Sequence, residues 1–115
     1  RHDVPAPLDW LAARQRPDGA WRVPWYAGVH SGTRLCLRLF EAAAPDHPAA
    51  EAARQFLRRP PEEPQPLALA QWDGGAAALE ALCAAQQDDG GWAPSPWIRM
   101  PIGTPGGPVS RVLLW

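Results

Sequence analysis

Gln86-Gln87-Asp88-Asp89-Gly90-Gly91-Trp92 closes an alanine-rich stretch, and Gln15-Arg16-Pro17-Asp18-Gly19-Ala20-Trp21 stands near the start of the chain. Both fit the pattern Q-x-x-D-G-x-W. Asp-Gly is a turn dipeptide, and glycine adopts the left-handed conformation past a helix C-terminus without a Cβ penalty. A helix that ends leaves up to four carbonyls without partners. A glutamine near the last turn can donate to such groups, while the aspartate accepts from the amides of the turn. A tryptophan three residues after the aspartate can fold its ring back over this polar network. The repeated segment predicts a helix end closed by a latch, built twice.

Apolar residues recur at helical spacing on both sides of each latch. Leu8, Leu11, Ala12 and Gln15 share one face of a helix near residues 6–15. A second helix near 32–44 stacks Leu35, Leu39 and Phe40, with Cys36 beside them. The third, near 48–58, aligns Ala49, Ala52, Ala53, Phe56 and Leu57, and the fourth, near 75–86, aligns Leu79, Leu82 and Cys83. Asp46 is the expected N-cap ahead of Pro48, and Pro60-Pro61 stops the third helix. Asp73 before Gly74-Gly75 is placed to cap the fourth. Strand signals are weak, because β-branched residues are few and alternation never lasts. The expected fold class is all-α, with helical hairpins as the repeating unit.

Composition narrows the functional classes. The chain has 115 residues, 20% of them charged, and a net charge of −1. That balance points to neither nucleic acid nor a polybasic membrane contact. No apolar run approaches the roughly 18 residues of a membrane span. The expected location is the cytoplasm, at most peripheral to a membrane. Fifteen prolines punctuate the helices, and all eleven basic residues are arginine. Arg1 opens the numbering and Met100 is the single methionine, so a longer native N-terminus is expected. Cys36 and Cys83 lack CxxC or paired-histidine spacing, so they read as small core residues rather than zinc ligands.

The two latch segments resemble the QW motifs of the terpenoid cyclase and protein prenyltransferase superfamily, whose members include squalene–hopene cyclases. The resemblance runs from Leu8 to about Pro101. It implies an α/α toroid in which these motifs tie outer to inner helices. Gln15, Asp18, Gly19, Trp21, Gln86, Asp89, Gly90 and Trp92 are then structural residues. A complete toroid has about twelve helices and this sequence offers about four, so residues 1–115 are expected to form a single partial domain with an incomplete barrel. A stack with open ends invites a protein partner or a further copy of itself.

The resemblance also implies chemistry. Class II cyclases carry D-x-D-D at an inner-helix start and protonate an alkene with it. The matching positions here are Gln71, Trp72, Asp73 and Gly74, which keep only the aspartate that serves as proton donor. Asp73 has two readings, a catalytic acid held protonated by burial or a plain helix cap. Carbocations are stabilised by aromatic faces. Trp25, Tyr26, Trp72 and Trp97 are the candidates to line an isoprenoid site, while Phe40 reads as core. His30 is either an orienting group for the acid or an exposed or capping residue. The zinc-dependent prenyltransferase branch is disfavoured, because Asp73 and Cys83 are not in a D-x-C arrangement and no histidine follows the second motif. No metal or other cofactor is expected. Nucleophilic triads and phosphate loops are absent from the pattern, and Ile102–Pro108 reads as a flexible connector with no strand before it. Two functions are carried forward: a terpene cyclase-like isomerase, and a non-catalytic helical-repeat module.

Overall fold

The computed structural model describes residues 6–23, 28–94, 96–101 and 109–114. Five helices lie among them: α1 (Ala6–Ala13), α2 (His30–Ala43), α3 (Pro48–Arg58), α4 (Pro66–Gln71) and α5 (Ala76–Ala85). The helical character expected from the sequence is present. The short α4 is absent from the sequence reading, since its six residues span fewer than two turns. Pro66 starts it at a position where the missing N–H is harmless, and Leu69 anchors it in the interior.

Two strands, β1 (Pro96–Pro101) and β2 (Val109–Leu114), follow the helices in sequence and pair antiparallel. Ile98 faces Leu113 and Arg99 faces Val112 in the register, with irregularities near both ends of β1. This corrects the expectation that no strand precedes Ile102–Pro108, a segment that itself lies outside the described residues. Prolines at both ends of β1 hid it, although terminal positions of an edge strand tolerate proline.

The core belongs to the first three helices. Leu8, Trp21, Cys36, Leu37, Phe40, Ala49, Ala50, Ala53 and Leu57 form one buried cluster. The alanine face of α3 lets α2 approach closely, and Ala50, Ala53 and Leu57 are fully inaccessible. On α2 the buried stripe is Thr33, Cys36, Leu37 and Phe40, whereas Leu35 and Leu39 are exposed. The helical period was right and its phase wrong. Leucines at 35, 37 and 39 support two phases, and the small Thr33 and Cys36 disguise the true one.

Helix α5 departs further from expectation. Leu79 is 63% exposed and Cys83 is exposed, leaving Ala78 as its buried residue. The cysteines therefore differ: burial pushes the Cys36 thiol up, while Cys83 is a surface residue. Helix starts also correct two caps. His47, not Asp46, caps α3, its Nδ1 accepting from the Ala49 amide at 3.0 Å. Gly75 occupies the N-cap of α5, and no side chain caps that helix, so the capping reading of Asp73 is overturned.

Candidate functional site

The two latches are the same object. Gln15 Nε2 donates to the Gly19 carbonyl at 2.9 Å, and Gln86 Nε2 donates to the Gly90 carbonyl at 2.7 Å. Asp18 Oδ1 accepts from the Ala20 amide, and Asp89 Oδ1 accepts from the Gly91 amide. The indole Nε1 of Trp21 donates to the Leu11 carbonyl, and that of Trp92 to the Leu82 carbonyl, each at 2.8 Å. Main-chain bonds repeat as well: Arg16 N to Ala20 O and Gly19 N to Arg16 O match Gln87 N to Gly91 O and Gly90 N to Gln87 O. Gly19 and Gly90 take φ values of 94° and 89°. The division of labour differs from the expected one. The indole, not the glutamine, takes a terminal helix carbonyl, and the glutamine closes the turn itself.

Their surroundings are unlike. Gln15 Nε2 reaches past its own turn to the Ala49 carbonyl in the first turn of α3 at 2.8 Å. The Trp21 ring stacks on Phe40 with centroids 5.7 Å apart, and its amide donates to the buried Thr33 hydroxyl at 2.9 Å. Gly19 presses against the backbone of α3, where a Cβ would run into the Ala52 carbonyl. Arg59 at the far end of α3 donates to the Asp18 carbonyl at 2.7 Å. The second latch has no counterpart of these contacts among the described residues, and Trp92 is 42% exposed against 2% for Trp21. Thr33 and the Ala49 carbonyl were invisible to motif reading, since neither belongs to the repeated segment.

Asp73 sits between α4 and α5. Its Oδ1 accepts from Arg34 Nη2 at 2.7 Å, and the same guanidinium nitrogen donates to the Gln71 carbonyl at 2.7 Å. The Asp73 side chain is 48% exposed, so the geometry is that of a surface ion pair rather than of an acid enclosed in an apolar pocket. Its amide donates to the Leu57 carbonyl at 2.7 Å, and Trp72 Nε1 donates to the Arg58 carbonyl at 3.0 Å. Trp72 thus closes the end of α3 as Trp21 closes the end of α1. A side chain at position 74 would strike the Trp72 ring. The glycine that breaks the acidic pattern is therefore required by the tryptophan two residues earlier. Trp25 and Tyr26 lie outside the described residues, and Trp97 is described only by its backbone in β1. An open cleft of about 430 Å³ is lined by Pro17, Asp18, Ala52, Gln55 and Arg59, and it holds neither Asp73 nor Trp72.

His30 opens α2 with its ring 5.3 Å from that of Phe56. It neither caps the helix nor contacts Asp73 among the described bonds. Burial pushes its pKa below the ordinary 6.5, favouring the neutral ring. The unfolded chain then takes up the proton more readily than the folded one. The stability gained by keeping His30 neutral is complete above pH 6.5 and falls as pH drops through the lower folded-state value. Urea midpoints measured between pH 7 and pH 5 should decline more steeply for the wild type than for His30→Gln. Parallel declines would remove His30 as the cause.

Together these groups make two helix-end latches and one arginine-anchored carboxylate. No protein-family model matches this chain, and no curated protein matches it.

Proposed function

We propose that this chain is a terpenoid cyclase-like helical-repeat domain of the squalene–hopene cyclase kind, contributing to the wall of an isoprenoid-binding α/α barrel. The observation supporting this reading is the duplication of the latch, with side-chain and main-chain bonds alike repeated at matching positions. A motif kept in such detail organises a stack of hairpins, and stacked hairpins enclose a cavity only when several are present. Among the described residues no helix is long and apolar enough to cross a membrane. A cytoplasmic or membrane-peripheral location belongs to the same proposal.

In the catalytic form of this reading Asp73 takes up a proton from solvent and passes it to an alkene carbon, and Arg34 holds the carboxylate left behind, restoring the resting ion pair. The position of Arg34, hydrogen-bonded to both Asp73 and the Gln71 carbonyl, suits that second role. A second reading is favoured by the exposure of the same carboxylate: a non-catalytic module in which the Arg34–Asp73 pair fastens α2 to the end of α4. Incubation with linear polyprenyl substrates, followed by analysis of hydrocarbon products, separates the two. Cyclic products lost in Asp73→Asn support the enzyme. Saturable binding without products supports a non-catalytic isoprenoid-binding wall. Absence of binding at every chain length rejects the isoprenoid altogether.

A further inference from the structure

An aromatic pair closes the α2–α3 hairpin at each end. His30, the first residue of α2, has its ring centroid 5.3 Å from that of Phe56 in the last turn of α3. His47, the N-cap of α3, lies 5.0 Å from Phe40 in the last turn of α2. Phe40 is fully buried and Phe56 packs against the same core, so each histidine ties a helix start to the interior.

A second proton on either ring disturbs its contact. At His47 the reason is bonding: Nδ1 accepts from the Ala49 amide at 3.0 Å. That bond requires a neutral ring with its proton on Nε2, and a proton on Nδ1 turns the acceptor into a donor facing a donor. At His30 the reason is burial, which favours the neutral ring. Both rings also stand at helix starts, where the free amides disfavour a cation. The phenylalanine faces act the other way, since they attract cations, but at His30 burial outweighs that attraction.

The charges around the two rings offer little compensation. Near His30, α3 brings Arg59 over the same Phe56 ring at 5.4 Å, and α4 has no ionisable residue. Arg34, one turn along α2, is held by Asp73, and Asp9 of α1 is exposed. Near His47, Glu41 of α2 and Glu51 of α3 both turn to Arg54 at 3.4 Å. Asp46 is exposed, and Gln15, which reaches the Ala49 carbonyl, is uncharged. No described ion pair includes either histidine.

We infer that the α2–α3 hairpin is an acid-released clasp, held at both ends by neutral histidine rings and loosened when both rings take up a proton. The clasp is independent of any isoprenoid and serves an enzyme or a binding module alike.

The test uses the whole chain, unfolded with urea at steps between pH 7 and pH 5, above the range of about 4 where ordinary carboxylates titrate. The unfolding equilibrium constant should rise as pH falls, by at most about tenfold per pH unit for each histidine. His47→Asn keeps a side-chain acceptor for the Ala49 amide, because asparagine is a good N-cap, yet it cannot titrate. It should remove part of the pH dependence, as should His30→Gln, and the double variant should be nearly flat. A double variant as steep as the wild type overturns the inference, and so does one single variant that removes the whole slope. NMR of the wild type gives a check that needs no variant. His47 Nδ1 should be unprotonated at pH 7, and the Ala49 amide should lose its exchange protection in the same step that charges the ring. An Ala49 amide still protected after that step overturns the clasp.

Discussion

Trp21→Ala is expected to lower the unfolding free energy by about 3–5 kcal/mol, the usual cost of emptying a tryptophan site in a packed core. Trp92→Ala is expected to cost about 1 kcal/mol or less, as surface changes do. The two residues share a motif position and an identical bond to a helix-end carbonyl. They differ in burial, at 2% and 42% exposed, and in the stacking of Trp21 on Phe40. A small domain holds roughly 5–15 kcal/mol in all, so the first change removes a large share of it. Urea unfolding of both variants checks this. Equal losses would mean that the bond to the carbonyl, not the burial, carries the energy.

Gly19→Ala should cost about 2–5 kcal/mol, combining left-handed backbone strain with overpacking. Gly90→Ala should cost about 1–2 kcal/mol, from the strain alone. Both glycines have positive φ, but a Cβ on Gly19 meets the Ala52 carbonyl while one on Gly90 meets open space apart from Gln86. Rigid backbone on the far side of Gly19 leaves the clash no side chain to yield. Thermal melts of the pair provide the comparison. A Gly19→Ala protein as stable as Gly90→Ala would show that α3 shifts away at little cost.

Four of the five described helices and both latches were legible in the sequence because they are local features. Periodicity and the Asp-Gly turn act over a few residues, and α3 was placed at Pro48–Arg58 on that basis. What failed was whatever depends on a neighbour. The phase of α2 is chosen by α3 and Trp21, which bury Thr33 and Leu37 and leave Leu35 outside. Asp73 read as a cap from its place before Gly74-Gly75, yet Arg34, 39 residues away, claims the carboxylate. The cap of α3 is a histidine nitrogen, outside the usual serine, threonine, aspartate and asparagine. As for the candidate site, the sequence marks Trp72 only as a residue to line an isoprenoid site, and the bond its indole makes is not written in it. The partner in that bond, the Arg58 carbonyl, only the folded chain supplies.

Two like turns and one alanine-faced helix in a single polypeptide create a problem of kinetic partitioning during folding. Either turn offers α3 a free amide and a glycine surface, so local chemistry alone does not assign the helix to its place. The assignment is made by reinforcements that the first turn alone recruits, namely the Thr33 hydroxyl, the Phe40 ring and Leu8. Chain path agrees with it, since the Asp73 amide and the Trp72 indole fasten the end of α3 to the segment leading into α5. A transient chain with α3 on the wrong turn must break that fastening and forgo the core. The native seat of α3 is thereby the one with the larger set of contacts.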